Sequence, residues 1–154
     1  MRTIETDDVY NDIYENLCAT VKNDPAIIKL ADQFYWDLEP ITQPPAAPSP
    51  AKPKSMPKLT ILPVSNMWKG MSSCSGELTC EYDVQVEGFY IRNPVRNKVA
   101  FRLLALFFYC PFTCMEVDGV SRTVKVEPGT ASWDFDSESQ KLTHRIPLSV
   151  KIYL

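Results

Sequence analysis

Apolar and polar residues alternate strictly over 78–86 and again over 142–154, and between these runs lies a nearly all-apolar stretch at 94–110. In the first run Leu78, Cys80, Tyr82, Val84 and Val86 share one side, and Glu77, Thr79, Glu81, Asp83, Gln85 and Glu87 the other. A period of two marks a strand with one buried face, and a one-residue slip would bury the acids, so the register is well determined. The second run sets Leu142, Ile146, Leu148, Val150, Ile152 and Leu154 against Thr143, Arg145, Ser149, Lys151 and Tyr153. Pro147 cannot donate to a ladder, which places it at an edge or a bulge. Shorter strands are predicted at 59–62, 122–127 and 132–135, the last with Trp133 and Phe135 inward, while 63–76 reads as a loop and 136–140 as a turn.

The 94–110 stretch is a helix, capped by Asn93 with Pro94 in its first turn and stopped by Pro111. Its apolar positions cover most of the circumference, with Lys98, Arg102 and Tyr109 on a narrow polar edge, so it packs on more than one side. Toward the N-terminus, Val9, Ile13, Leu17 and Val21 are four apart, one stripe of a helix over 6–22 with Thr6 as cap. Asp24 and Pro25 start a second helix over 25–36, with Ile27, Leu30, Ala31 and Phe34 inward.

Between them and the sheet, residues 39–58 hold Pro40, Pro44, Pro45, Pro48, Pro50, Pro53 and Pro57. So many missing amide donors forbid a helix or a central strand, and the segment is predicted to be an extended linker able to hold the N-terminal helices away from the sheet or to lay them on a neighbouring subunit. The expected organisation is a helical segment at 1–38, the proline-rich linker at 39–58 and a domain at 59–154. The predicted class is α+β, a mostly antiparallel sheet with one central helix packed on one face, preceded by N-terminal helices and the linker.

Composition narrows the function. A net charge of −3 and a pI near 5.2 argue against gripping nucleic-acid phosphates. No segment approaches the roughly 20 apolar residues of a membrane span, and the acidic start of the chain does not read as a signal peptide. An odd count of five cysteines fits a reducing cytosol better than a disulfide scaffold.

Candidate chemistry is sparse. His144 is the single histidine and falls on the inward set of its strand; no Ser or Cys stands beside a positioned base, so catalysis is not expected. Cys74 with Cys80 and Cys110 with Cys114 lack the tight spacing of a zinc knuckle, and both Cys80 and Cys110 lie on apolar faces; no metal or cofactor is expected. Asp134, Asp136 and Glu138 resemble the start of a calcium loop without its glycine or its distant glutamate. The row Glu77, Glu81, Asp83 and Glu87 is either a solvated face, paired with Arg145 and Lys151, or a surface that repels an anion. Met67, Trp68 and Met71, among small polar residues, either face an interface or fold back onto the chain's own core, and Lys98 and Arg102 are further interface candidates.

The order IYENLCATV, LTILPV, ELTCEYDVQVEGFYI, NPVRNKVAFRLLALFFYC and RIPLSVKIYL resembles the tail terminator and head-to-tail completion proteins of tailed bacteriophages, chiefly over 59–154. The resemblance implies a structural subunit of a hexameric ring, not an enzyme. Such a ring caps the tail tube in the virion, contacts the neck or connector and lets genomic DNA pass without specific binding. It would be assembled in the host cytoplasm and would involve no membrane. Glu77, Glu81, Asp83 and Glu87 would then face the lumen, and Met67, Trp68, Met71, Lys98 and Arg102 a neighbouring subunit. The long proline-rich insertion and the added second helix depart from that family's pattern. A function of another class is a monomeric adaptor whose proline-rich segment occupies a partner's groove, and a third is a metalloenzyme using the cysteines and His144.

Overall fold

A computed structural model of the chain describes residues 9–36, 56–72, 75–109, 113–117 and 119–154. In chain order these form α1 (Val9–Lys22), the short α2 (Pro25–Ile28), a 3-10 turn (Ala31–Gln33), β1 (Tyr35–Trp36), β2 (Lys58–Ser72), β3 (Ser75–Phe89), α3 (Pro94–Tyr109), β4 (Cys114–Val117), β5 (Val120–Pro128), β6 (Ser132–Asp136) and β7 (Lys141–Tyr153). One sheet runs β1-β2-β3-β7-β5-β4, and β6 lies beside the first half of β7. Among the described residues only β1 and β2 pair in parallel, so the fold is α+β with a mostly antiparallel sheet.

The two alternating runs pair with each other in one continuous register, Val84 opposite Ile146 and Tyr82 opposite Leu148. Leu78, Cys80, Tyr82, Val84, Val86, Leu142, Ile146, Leu148, Val150 and Ile152 are all buried. Each large aliphatic among them contributes roughly 1.5–3 kcal/mol by leaving water. Val124 and Val126 of β5 join the same face.

Two helices, rather than one, cover that face. Tyr14 of α1 donates from its hydroxyl to the Ile61 carbonyl at 3.2 Å and lies 6.4 Å, ring to ring, from Tyr82. Farther along α1, Asn16 donates to the Glu116 carbonyl at 2.9 Å, so α1 reaches from β2 to β4. Alongside it α3 buries Val99, Ala100, Leu103, Leu106 and Phe107. The physical reason is width: a helix about 10 Å across cannot shield a row of strands spaced about 4.8 Å apart. The side chains of α1 therefore belong to the same core as the sheet, instead of being held at a distance by the linker. Thr6, the expected cap of α1, lies outside the described residues, as does most of the proline-rich segment.

The second helix ends early. Asp24 caps it by accepting from the Ile27 amide at 3.2 Å, with Pro25 in the first turn. Only Pro25–Ile28 is α-helical, however, with a 3-10 turn at Ala31–Gln33, and Phe34 turns to extended geometry, φ −145° and ψ 162°. That swings Phe34 into the core at 1% exposure and lets the next two residues join the sheet, a state that aromatic residues favour. Ile27 is buried as predicted, while Ala31 is exposed.

The stretch 63–76 is not a loop. β2 continues to Ser72 and pairs with β3 nearly to the turn, with irregularities between Pro63 and Ser65 and between Gly70 and Ser72. Backbone pairing with β3 supplies the stability that a hydrophobic alternation did not advertise. Pro63 is tolerated because, among the described residues, β2 has a neighbour on its other side only at Lys58 and Leu59.

Pro147 sits neither at an outer edge nor at a bulge. It lies inside β7, opposite Asp83, where the far side of the strand passes from β5 to β6. Its carbonyl accepts from the Gly129 amide at 2.8 Å. In an extended residue the amide position points the same way as the carbonyl, so the missing donor faces the connection between β5 and β6 and breaks no ladder. Trp133 and Phe135 do share the helix-side face, but no described helix covers that corner and they are 68% and 41% exposed.

Candidate assembly surfaces

The three candidate interface residues of the expected loop all lie on β2, in the half nearer the β2–β3 turn. Met67, Trp68 and Met71 are 66%, 54% and 61% exposed. Register divides them. Met67 faces away from the helices opposite Thr79, while Trp68 is on the helix side opposite Leu78. Met71 falls at the second irregularity. The Trp68 ring packs against Gly76, where a Cβ would stand only 2.2 Å from it, so a side chain at position 76 would displace the ring.

The hairpin also exposes an edge. From Thr60 to Ser72, β2 has no described strand on its outer side. The opposite margin of the sheet differs: β4 is only four residues long, and Asn16 of α1 already holds its Glu116 carbonyl. Natural sheets blunt such margins by shortness, cover or charge. Here one is blunted and the other is left open with apolar side chains beside it.

The acidic row of β3 faces away from the helices, as the alternation requires. Its charges are matched by cations of flanking strands. Glu87 lies 3.5 Å from Lys58 and 4.0 Å from Lys141, Asp83 lies 3.9 Å from Arg145, and Glu77 stands opposite Lys69. Glu81 accepts from the Ser65 hydroxyl at 2.8 Å. Lys125 and Glu127 pair at 2.8 Å on the same side, each holding the other in its charged form. A shallow groove of ≈ 530 Å³ crosses this face beside Pro147, between Glu81, Asp83, Glu127 and Arg145. The face is polar and charge-compensated rather than uniformly negative.

Arg102 is committed within the fold. Its Nε and Nη2 donate to the two carboxylate oxygens of Asp24 at 2.8 and 2.6 Å, tying α3 to the cap of α2. Those bonds hold the Asp24 carboxyl below the usual carboxylate range. Lys98 is exposed on α3, and so are Phe101, Phe108 and Tyr109.

The residue that the sequence reading missed is Arg96, which is fully buried. Its guanidinium donates to the carbonyls of Gly88, Tyr90 and Ile91 and to Asn97, fastening the β3–α3 connection. Asn93 caps the same helix by accepting from the Arg96 amide at 3.1 Å. The signal was present: Arg96 precedes Val99, Ala100 and Leu103 at the spacing of the inner stripe. Gly88 leaves room for it, since a Cβ there would meet Arg96 at 3.3 Å.

His144 shares the inward register of β7 and is partly buried, its Nε2 3.2 Å from Asn97 Oδ1 and its ring edge-to-face with Trp133 at 5.7 Å. Burial and the Arg96 charge push its pKa down, so it is neutral at pH 7. Cys18 and Cys80 are buried with thiols pushed up by burial, and Cys114 is exposed. Cys74 and Cys110 lie outside the described residues. Asp136 accepts from the Glu138 amide and the Ser139 hydroxyl within its own turn, and Asp134 pairs with Arg145 at 3.0 Å. Among the described residues no three His, Cys, Asp or Glu side chains converge as they would around a metal ion. No described helix is long and apolar enough to cross a membrane.

No protein-family model matches the chain, and no curated protein sequence does. Among solved structures, a chain of the virion of a native gene transfer agent particle superposes with a TM-score of 0.62. The superposition covers 97% of this chain and 100% of that one, at 7% sequence identity. The likeness is one of fold. A second solved chain, 17% identical over 92% of this chain and 91% of its own, reaches a TM-score of only 0.46 and bears no argument.

Proposed function

We propose that this chain is a structural subunit of a tailed, phage-type particle, without catalytic activity. It forms a ring, hexameric in this reading, at the head-proximal end of the tail. There it caps the tail tube, contacts the neck or connector and leaves a passage for genomic DNA. The observation that carries the reading is the shared fold with a virion chain over essentially the whole of both chains. The open margin of β2 and the apolar residues beside it add to it, because a chain acting alone gains nothing by exposing them. The ring surfaces assigned are the β2–β3 hairpin and the exposed side of α3 around Lys98. The polar face of β3, with Glu81 in its middle, borders the passage.

The test is light scattering on the purified full chain, followed by negative-stain imaging after mixing with tail tubes. A ring-sized species, or rings seated on one end of the tubes, supports the reading. A monomer at every concentration together with bare tube ends overturns it and favours the adaptor.

A further inference from the structure

The proline-rich segment is anchored at both ends on the same two strands. Tyr35 pairs with Lys58 and the next residue, Trp36, with Leu59, while the Tyr35 amide donates to the Pro57 carbonyl at 2.6 Å. The 19 residues 37–55 therefore leave and return at one corner of the sheet, and do not tether two separate bodies. A chain of 19 residues spans at most about 3.3–3.6 Å per residue, so one that returns to the corner it left reaches no farther than roughly 31–34 Å from it.

At the other margin of the same cross-strand row stands an aromatic shelf that no described helix covers. The row runs from Trp36 through Leu59, Val86 and His144 to Trp133. Trp133 and Phe135 project there on the helix side, 68% and 41% exposed, with His144 against the Trp133 ring. Four strand spacings, about 19 Å, separate root from shelf. The arm's own α3 stands between them, since Arg96 lies over Gly88 and Asn97 reaches His144. A copy placed edge to edge offers its shelf without that obstacle. Root and shelf at opposite margins make such a contact head-to-tail, the kind that closes into rings.

We infer that residues 37–55 of one copy dock on the Trp133–Phe135 shelf of the next, proline rings on aromatic faces. Extended proline-rich chains bind aromatic-lined surfaces in this way because little conformational entropy is left to lose. The inference rests on the ring reading and gives that ring a strap.

The experiment places a photo-crosslinking benzoylphenylalanine at Ala46 in the full-length chain and mixes nitrogen-15-labelled with unlabelled copies before irradiation. Cross-links joining chains of different isotope content at residues 132–136, lost in the W133S/F135S variant, support the docking. Cross-links confined to one chain, located elsewhere or unchanged in that variant overturn it. Light scattering on the same samples separates the two readings. Rings whose cross-links fall elsewhere end the docking alone. Shelf cross-links in a preparation that never exceeds a dimer end the ring and leave the docking.

Discussion

Arg102 holds Asp24 with two nearly parallel hydrogen bonds, although the two residues are 78 positions apart in the chain. Asp24 is 5% exposed and serves three purposes: it caps α2, fixes the turn after α1 and binds α3. Arg102→Met leaves that carboxylate buried without its cation and is expected to cost roughly 1–3 kcal/mol, measured by urea denaturation.

The same pair makes stability acid-sensitive. The folded pKa of Asp24 lies below its unfolded value, so its contribution is complete above about pH 4 and is lost as pH falls through the folded value. Thermal melts from pH 7 to pH 2.5 should show wild type losing its margin over Asp24→Asn in that acid range. A constant margin would mean that the carboxylate is not what α3 holds.

Arg96 is the more sensitive site. Arg96→Met keeps the bulk but strands the carbonyls of Gly88, Tyr90 and Ile91, and is expected to cost about 2–5 kcal/mol. Tyr90 has φ 67°, a left-handed conformation unusual for a tyrosine, and these bonds help to hold it. Tyr90→Gly in the Arg96→Met background should recover part of the loss; chemical denaturation of the three variants gives the comparison.

In the core, Leu103 of α3 and Leu148 of β7 are 0% and 2% exposed on the two sides of the helix–sheet contact. Truncation of either to Ala leaves a cavity worth about 2–5 kcal/mol. A loss below half a kcal/mol at both, read from the denaturation midpoint, would mean that these faces do not pack.

Most of the sheet was legible because β3 and β7 write their burial into a period of two, and the start of α3 because Asn93 and Pro94 act locally, while Pro111, its expected stop, lies outside the described residues. The outer half of β2 was not, since Pro63, Gly70 and exposed Met67 and Met71 leave no alternation; its pairing comes from the backbone of β3. The second helix was overread because Phe34 prefers the core to the helix. Among the candidate site residues, Arg102 looked free only because Asp24 is distant in sequence. The acidic row was placed correctly on the outer face, but its cations arrive from β2 and β7, whose register alone brings them close.

Glu81 is the member of that row that tests the passage, because its contact is an exposed hydroxyl rather than an ion pair. Glu81→Lys should change stability by less than about 0.5 kcal/mol, as exposed substitutions do. If this face borders moving DNA, the new cation should slow DNA release from assembled particles while thermal melts stay unchanged. Unaltered release kinetics would remove the face from the passage.

The hairpin gives the sharpest separation of fold from assembly. Met67 and Met71 are each more than half exposed, so Met67→Glu with Met71→Glu removes little from the core and should leave the melting temperature of the isolated chain nearly unchanged. Two carboxylates on a surface that must become dry are costly in a contact, because burying an unpaired charge is far worse than burying a thioether. The double variant should therefore stay smaller than wild type by light scattering and leave tail tubes uncapped in negative stain. Lys98→Glu, on the exposed side of α3, should act in the same direction if that side meets the hairpin of the next copy. Rings of wild-type size in both variants would place the subunit contact elsewhere on the molecule.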